Sequence, residues 1–407
     1  MRVLYLDSDG PLGGGSRSLF EVVRPLSAGE VDPYFVAVKG TALGFYSQVA
    51  RDMVVTRGMT KFDNTRYSYY RGVRWVILLR EMFYLPFTVA ALLRARLRWK
   101  TIDLIHVNEV LCIIPGLIAR RLFGVPLVIH VRSPARNDDR SARCRWQFRL
   151  LRNNAAAVIA IDEGVKATLP TSLKVDVIHN SFTPTKVGTP DHVMQAKLDA
   201  LSPDSLKIGF VGNLHLSKGL FDLLEAAKLV RTSGRHVEYV IVGGVTIVDR
   251  GLKARILSAA GLAQNVQDDL GKQVREAGLD DIFHLLGPTV DIQRVYERID
   301  VIAFPSHFDA PGRPVFEAAF SSVPAIVAVA NPLPDTLVSG ETGLAIPVRN
   351  PQKLAEAIIY FADHRGEVGR MGANARELAE RNFKPETNAR KLLAIYQRVV
   401  QGQRALS

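Results

Sequence analysis

Short apolar runs alternate with longer stretches of helical composition along the first half of the chain. The runs are rich in Val, Ile and Leu and are bounded by turn-forming residues, which is typical of buried β-strands. The predicted strands of this series are Arg2–Asp7, Pro33–Val38, Ile102–Val107, Leu127–Val131, Ala157–Ile161 and Val175–His179. Because strand and helix alternate, the pattern predicts a parallel sheet covered by helices on both faces.

A second series of the same kind starts afresh in the other half of the chain. Its predicted strands are Lys207–Gly212, Tyr239–Gly244, Ile282–Leu286, Val301–Pro305 and Ala325–Val329. Between the two series, residues 181–190 are rich in turn formers and lack an apolar period, which indicates a linker. We therefore expect an α/β protein with two doubly wound domains, over residues 1–185 and 186–384.

The closing segment, residues 385–407, predicts an amphipathic helix. Pro385 stands at a favourable first helical position. The apolar residues that follow at helical spacing are Leu392, Leu393, Ile395, Tyr396, Val399 and Val400. We expect this helix to pack back on the N-terminal domain.

The overall composition is that of an ordinary folded chain. With 407 residues, 47% of them hydrophobic, and a mean hydropathy of +0.08, the chain can bury sizeable cores. Its two cysteines, Cys112 and Cys144, are isolated, so neither a disulfide framework nor a zinc site is indicated. The N-terminus runs straight into a strand pattern without the order of a signal peptide. We therefore expect a cytoplasmic location.

Positive charge is concentrated in the first half of the chain. Residues 1–180 hold 26 Lys and Arg against 15 Asp and Glu, whereas the whole chain carries a formal net charge of +12. No nucleic-acid-binding motif accompanies this charge, and the basic residues interleave with apolar runs. A membrane surface is therefore the expected partner, and nucleic acid is not.

The segment Tyr69–Lys100 has the composition of an interfacial helix. It mixes aromatic and aliphatic residues with seven Lys or Arg and one acid. No apolar run is long enough to span a bilayer, but a helix lying on the headgroups suits this mixture. The alternative is a core helix with a basic outer face. A second arginine-rich stretch, residues 132–152, suits either a membrane surface or a phosphorylated acceptor.

Two glycine-rich loops follow predicted strands and precede helices. The first, Gly10–Ser16, lets a ligand approach the backbone closely, although it lacks the full dinucleotide-binding spacing and a plain tight turn is the alternative. The second, Gly212–Gly219, places Lys218 just before a helix, where it can meet a diphosphate without a metal. Its alternative is a solvated lysine in the first helical turn.

Two carboxylates, Asp309 and Glu317, flank a Pro-Gly-Arg-Pro turn that contains Gly312 and Arg313. Asp309 is predicted in a loop after a strand, and Glu317 in the first turns of a helix. Ligands of open parallel sheets bind outside the carboxyl ends of the strands, so this pair is placed to grip sugar hydroxyls.

His130 and Arg132 end a predicted strand with side chains on the same face, so both are expected to reach a ligand cleft. His106 ends the preceding strand, either as a structural histidine or as a site residue. The sequence contains no His-x-x-x-His, Cys-x-x-Cys or Gly-x-Ser-x-Gly motif, which argues against zinc and serine hydrolase chemistry.

Taken together, the two Rossmann-like halves, the glycine-rich loops, Lys218 and the spaced carboxylates resemble the retaining GT-B glycosyltransferases of family four. The likeness covers nearly the whole chain and implies two Rossmann-like domains facing a cleft. It implies that Glu317 holds the donor ribose, that Asp309 lies near the transferred sugar and that Lys218 meets the diphosphate. The expected donor-binding residues are Gly14, Gly15, Gly212, Asn213, Lys218, Gly312, Arg313 and Glu317.

The sequence departs from the family pattern at three of these places. Asp309 replaces a glutamate, Asn213 an arginine of the diphosphate loop, and Arg132 a histidine near the transferred sugar. The candidate catalytic residues are therefore Asp309, Arg132 and, two residues before the family histidine's place, His130.

The resemblance implies a hexosyltransferase that uses a nucleotide-sugar co-substrate without a metal cofactor and retains the anomeric configuration. We expect it to act on a lipid-linked or polysaccharide acceptor, peripherally on the inner face of the cytoplasmic membrane. The alternatives are a non-catalytic partner protein of the same fold and a nucleotide-sugar epimerase. An NAD-dependent dehydrogenase fits less well, because neither half carries a full dinucleotide fingerprint.

Overall fold

A computed structural model describes residues 1–27, 29–66, 75–138, 140–184, 191–244, 266–308 and 310–404. The chain divides into two compact units. The first unit contains Met1–Thr183 together with Asn382–Ser407, and the second contains Pro184–Arg381. Residues 69–74 of the predicted interfacial segment and residues 185–190 of the predicted linker lie outside the described residues.

The first unit is built on a parallel sheet of seven strands. The strands are β1 (Arg2–Asp7), β2 (Asp32–Val38), β3 (Asp52–Thr56), β4 (Leu104–Val107), β5 (Leu127–Val131), β6 (Ala155–Ala160) and β7 (Val175–Val177). Their order across the sheet is β3-β2-β1-β4-β5-β6-β7. The order reverses between β1 and β4, which is where loops that follow neighbouring strands diverge and leave room for a ligand.

Helices of the first unit cover both faces of this sheet. They are α1 (Gly14–Leu26), α2 (Leu43–Tyr46), α3 (Ile77–Arg98), α4 (Ile113–Phe123), α5 (Ala142–Asn154) and α6 (Glu163–Ala167), with the last helix of the chain, Pro385–Arg404, packed beside them. Two separate apolar clusters lie on the two faces of the sheet, since alternate residues of each strand point to opposite sides.

The second unit repeats the plan with a six-stranded parallel sheet. Its strands are β8 (Leu206–Val211), β9 (Val237–Val242), β10 (Phe283–Gly287), β11 (Val301–Phe304), β12 (Ala325–Ala328) and β13 (Gly343–Ile346). Their order is β10-β9-β8-β11-β12-β13, and it reverses between β8 and β11. The described helices are α7 (His192–Asp199), α8 (Leu220–Thr232), α9 (Val266–Glu276), α10 (Ile292–Tyr296), α11 (Arg313–Ala319), α12 (Pro351–Asp363) and α13 (Arg365–Asn382).

The predicted fold class is confirmed, because both halves form doubly wound parallel sheets. Two strands escaped prediction. Strand β3 is a short edge strand of five residues with two of them buried, and β13 lies within a turn-rich stretch whose glycine, Gly343, has φ +158°. Short edge strands carry too few apolar residues for the pattern to identify them.

Helix α1 begins at Gly14, three residues before the predicted start at Arg17. Gly14 and Gly15 therefore form its first turn instead of a free loop, and Gly13 caps it in an extended conformation. The wrong prediction has a simple cause: glycine has a low helix propensity, but it costs little at a helix N-terminus.

The last helix, α14 (Pro385–Arg404), packs on the first unit. Leu392, Ile395 and Tyr396 lie in the same apolar cluster as Val3 and Tyr5 of the central strand. The Tyr396 hydroxyl also bonds the His106 ring nitrogen Nδ1 and the Tyr5 hydroxyl. The end of the chain thus helps to complete the core beneath β1 and β4.

Among the described residues, none of the helices is both long and apolar enough to cross a bilayer. The longest, α3, has 22 residues but carries arginines along its length. Its position on the first unit leaves several large apolar side chains exposed, including Leu79, Phe83 and Leu97 at 64%, 65% and 82%.

We expect the packing of α14 to contribute strongly to the stability of the first unit. Leu392→Ala removes a side chain that is fully buried in the cluster with Val3. It should lower the free energy of unfolding by about 2–5 kcal/mol, because the lost apolar contact leaves a cavity. Urea denaturation of the full chain measures this. Gln397→Ala, an exposed change on the same helix, is the control, and an equally small effect of both would contradict the packing.

Candidate functional site

In the second unit, β8 and β11 are neighbours at the point where the strand order reverses, and each ends in a loop that leads to a helix. The loop after β8 starts at Gly212, with φ +154°, whose N–H donates to the Val242 carbonyl at 3.0 Å. Gly243 approaches it so closely that a Cβ there would overlap the Gly212 carbonyl oxygen. Gly212 follows β8 and Gly243 follows β9, so glycine is required where the ends of these two strands meet.

The two loops touch through their backbones. Gly219, the residue before α8, has φ +72°, and a Cβ on it would overlap the carbonyl oxygen of Pro305. The His307 N–H donates to the Ser217 carbonyl at 2.9 Å, and its ring Nε2 lies 2.8 Å from an Asp222 carboxylate oxygen. These contacts hold the loop before α8 against the loop after β11.

Lys218 lies between two aromatic rings at this junction. Its Nζ is 5.4 Å from the ring centroids of both Phe304 and Phe308. No carboxylate of the described residues lies within ion-pair distance of it. Burial lowers the pKa of its ammonium group below the usual range. The predicted diphosphate lysine is therefore a partly buried cation that, within the described part of the chain, faces aromatic rings instead of a carboxylate.

Gly312, in the loop after β11, lies against the Phe304 ring that Lys218 also faces. A Cβ at this position would overlap the Phe304 ring. Lys218 and Gly312 therefore meet around one side chain, although they are distant in sequence. Asn213 is exposed in the first loop, and Asp309 lies outside the described residues. The catalytic role predicted for Asp309 stays a prediction.

Glu317, on α11, is the buried carboxylate of this site, with 4% of its surface exposed. Arg313, one turn earlier, donates from Nε to Glu317 Oε1 at 2.9 Å, and its Nη2 lies 2.9 Å from the same oxygen. The Tyr296 hydroxyl donates to Oε2 at 2.9 Å. Tyr296 was missed by the sequence analysis, because a buried tyrosine in an apolar pattern does not reveal its hydroxyl partner.

A second cluster of polar side chains lies at the strand ends of the first unit. Asp7, at the end of β1, accepts hydrogen bonds from Ser16 Oγ at 2.9 Å, from the Tyr46 hydroxyl and from Asn108 Nδ2 at 3.3 Å. Burial, and then the charge of Asp9, raises the pKa of Asp7. These residues carry no motif, and only the fold brings them together.

Arg132 extends across this cluster. Its Nε donates to the Asn108 side-chain oxygen at 2.7 Å and to the Asn108 carbonyl at 3.0 Å, and its Nη1 donates to Asn180 Oδ1 at 2.9 Å. A Cβ on Gly15 would lie 3.5 Å from Arg132 Cδ. The structure therefore places the predicted glycine-rich turn, Gly14 and Gly15, beside the predicted arginine.

His130 does not reach an open site, contrary to the sequence-based expectation. It is 2% exposed, with Nδ1 3.4 Å from Arg132 Nη2 and its ring 5.6 Å from that of His106. Burial, and then the charge of Arg132, holds the pKa of His130 well below its usual range and lowers that of His106 to about 3. Both imidazoles are neutral beneath Arg132, which occupies the more accessible position.

Glu109, after β4, is a further ionisable group that the sequence analysis missed. Its Oε1 accepts from the N–H groups of Val110 and Arg132 at 2.8 and 3.3 Å, and Oε2 accepts from Ser133 Oγ at 3.0 Å. Burial raises its pKa to about 7, although these hydrogen bonds oppose the shift. Glu109 thus changes charge near neutral pH at the edge that carries Arg132.

No group of three or more His, Cys, Asp or Glu side chains suited to a metal occurs in the described ranges.

We expect Glu109 to make stability depend on pH. Its carboxyl is protonated up to about pH 7 when folded but ionises near its ordinary pKa when unfolded. The unfolded chain then binds fewer protons, so this group makes stability fall as the pH rises between these two values. Glu109→Gln does not titrate and should gain about 1–3 kcal/mol relative to the wild type between about pH 5 and pH 8. Denaturation at both pH values measures the gain; Glu377→Gln, on the exposed surface, should show none.

Two protein-family models match this chain. The model described as "Glycosyltransferase Family 4" matches residues 12–185, and that of "Glycosyl transferases group 1" matches residues 197–378. The first match falls in the first unit and the second in the second unit.

Relatives of established name support the same family. The capsular polysaccharide biosynthesis glycosyltransferase CapM of Staphylococcus aureus is 25% identical over 251 residues, which are 60% of this chain and 61% of CapM. The D-inositol 3-phosphate glycosyltransferase of Corynebacterium kroppenstedtii is 30% identical over 195 residues, 47% of this chain and 40% of its own. The matched part thus spans less than two thirds of either relative.

Among solved structures, the Anabaena protein HepE in complex with UDP-glucose matches the whole of both chains, with a TM-score of 0.70 and 20% identity. This similarity supports the fold, which is that of the GT-B glycosyltransferases. Since each unit matches one of the two family models and both match the architecture, the chain belongs to the family four type of GT-B glycosyltransferases.

Proposed function

We propose that this glycosyltransferase moves a hexose from a nucleotide-sugar donor to a lipid-linked or polysaccharide acceptor at a membrane surface, with retention of configuration. The assignment of a nucleotide-sugar donor rests on the contacts between two loops around Phe304. There, two loops bring a partly buried cation, Lys218, near the loop that leads to a buried carboxylate, Glu317. The structure of the similar Anabaena protein in complex with UDP-glucose supports a nucleotide-sugar as the donor.

Lys218 is the proposed ligand of the donor diphosphate. When the sugar leaves, negative charge develops on this group, and a cation that is already desolvated stabilises it without reorganising. The N–H groups at the start of α8, just after Gly219, support the same charge. Because Lys218 and these N–H groups balance the leaving charge, we propose that sugar transfer proceeds without divalent cations.

Glu317 is the proposed acceptor of hydrogen bonds from the donor ribose. Each carboxylate oxygen has two lone-pair directions, so Oε2 can still accept from a hydroxyl while it accepts from Tyr296. Oε1 already has Nε and Nη2 of Arg313 at 2.9 Å. Asp309 is proposed to lie near the transferred sugar, as the family resemblance implies. Retention rests on that resemblance alone.

The strand ends of the first unit are the proposed acceptor site. Arg132 is held by hydrogen bonds to Asn108 and Asn180, and Gly15 beside it has no side chain to cover its aliphatic part. A fixed guanidinium suits an acceptor that carries a phosphate or a polar sugar. His130 is buried and neutral beneath it and serves here as support for Arg132.

A membrane surface as the place of action is supported by helix α3. Its exposed apolar residues follow helical spacing and form one stripe, which we call the α3 stripe. The α3 stripe consists of Leu79, Met82, Phe83, Leu93 and Leu97. Arg94 and Lys100 are exposed beside it, in a half of the chain with a strong excess of basic residues. Apolar and cationic side chains in this arrangement fit an anionic bilayer, with the helix lying in the headgroup plane.

A glycosyltransferase that binds a membrane surface can reach lipid-linked or polysaccharide acceptors there. The name of CapM also indicates polysaccharide synthesis. The inositol phosphate relatives, in contrast, are named for a small acceptor. The α3 stripe favours the first class for this chain, because a small soluble acceptor does not require an exposed apolar helix face.

The donor assignment predicts that one nucleoside diphosphate stabilises the protein and that Glu317 is needed for it. UDP, GDP, ADP and dTDP should be compared by thermal shift, with and without magnesium. One of them should raise the melting temperature in both conditions. Glu317→Gln should lose most of that shift, because an amide replaces a charge-assisted acceptor worth about 1.5–3 kcal/mol.

Glu377→Gln, on the exposed surface of α13, is the matched control and should respond like the wild type. A shift that Glu317→Gln retains in full would contradict the site. The absence of a shift with every nucleotide would favour a non-catalytic protein of the same fold.

The membrane assignment predicts binding to vesicles that contain anionic lipid. The triple change Leu79→Ser, Phe83→Ser and Leu97→Ser should weaken this binding by on the order of a thousandfold or more, because each residue loses apolar burial worth about 1.5–3 kcal/mol. Flotation with phosphatidylglycerol vesicles measures the effect. The control is Val193→Ser with Val290→Ser, two equally exposed apolar residues of the second unit.

Equal binding by the triple variant and the wild type would contradict the α3 stripe as the contact. A wild type that fails to float but forms dimers through this face would instead assign the stripe to a second copy of the chain.

A further inference from the structure

We propose that Arg313 is a second ligand of the donor diphosphate, and that nucleotide binding exchanges its ion pair with Glu317 for one with phosphate. This inference rests on the proposed function and assigns a role to a residue of the same site. Three features of the structure carry it: the place of Arg313, the burial of its ion pair and the second partner of Glu317.

Arg313 follows Gly312 directly, and Gly312 packs on the ring of Phe304. The same ring lies 5.4 Å from Lys218 Nζ. Lys218 and the residue before Arg313 are therefore brought to one aromatic ring from opposite loops, and the Arg313 guanidinium lies 5.3 Å from the ring centroid of Phe316. A diphosphate spreads its negative charge over two phosphate groups, so recognition by a lysine and an arginine together matches its charge. The planar guanidinium can in addition donate to two phosphate oxygens.

The ion pair of Arg313 is not a surface contact. The side chains of Arg313 and Glu317 are 15% and 5% exposed. Arg313 is also the first residue of α11, whose first turn contains no acid. A cation at this end of a helix is unfavourable unless negative charge lies nearby. Glu317 supplies that charge in the structure, and a phosphate supplies it equally well after an exchange.

Tyr296 makes the exchange possible for Glu317. A buried carboxylate that loses its only partner is strongly destabilised. Here the hydroxyl of Tyr296, which is fully buried, donates to Oε2, the oxygen that Arg313 does not contact. When Arg313 turns to the phosphate, Glu317 therefore keeps one hydrogen bond and receives others from the ribose hydroxyls on Oε1. Glu317 therefore keeps a hydrogen-bond partner in either arrangement.

The test compares a nucleoside diphosphate with its nucleoside, since only the first offers phosphate to Arg313. Dissociation constants of UDP, GDP, ADP and dTDP, and of the four matching nucleosides, are measured by calorimetry for the full chain. Arg313→Gln should weaken binding of the diphosphate that the wild type prefers by about tenfold to a hundredfold. Binding of the matching nucleoside should be unchanged or improved, because Glu317 no longer has to release an arginine.

Arg376→Gln is the matched control, because Arg376 also pairs with a glutamate four residues later on a helix of the same unit. It should change neither constant. Arg313→Lys keeps the charge without the planar donor pair, so it should lose less diphosphate affinity than Arg313→Gln. This second variant also serves if Arg313→Gln does not fold.

Equal losses for the diphosphate and the nucleoside would overturn the inference, because Arg313 would then only hold Glu317 in position. Unchanged constants for both ligands would overturn it as well. If the wild type binds neither the diphosphates nor the nucleosides, the proposed function itself fails, and this inference fails with it.

Discussion

The proposed donor site of the second unit depends on one close backbone contact, between Gly219 and the carbonyl of Pro305. Any side chain at position 219 would push the loop before α8 away from the loop after β11. The contact exists because β8 and β11 are neighbours where the strand order reverses, so their loops leave the sheet side by side. Lys218 stands next to this contact and is thereby held over the ring of Phe304.

Buried charge organises the polar groups at both strand edges. In the second unit, the buried Glu317 carboxylate is paired with Arg313 and accepts a hydrogen bond from Tyr296. In the first unit the balance differs: burial keeps His106 and His130 neutral and raises the pKa values of Asp7 and Glu109. Arg132 is therefore the dominant positive charge among these residues, which fits the proposed recognition of a negatively charged acceptor.

The sequence located the elements that carry repeated patterns and missed those that do not. Eleven of the strands show buried apolar runs, and their positions were predicted to within a few residues. Strands β3 and β13 are short or turn-rich, and the start of α1 consists of glycines, so propensity alone gave no signal for them. His130 was expected to be accessible from strand alternation, but alternation places a side chain on a face and does not say what covers it.

The sequence by itself determined the two parallel-sheet units, the family and the short motifs that contain Lys218 and Glu317. Each of these follows from residues close together in the chain, where period and turn chemistry act. Only the tertiary structure decided that Tyr296 bonds Glu317, that Gly312 and Lys218 share the Phe304 ring and that Arg132 lies beside Gly15. These contacts join residues distant in sequence, and their geometry is set by packing between strands and loops that no local pattern records.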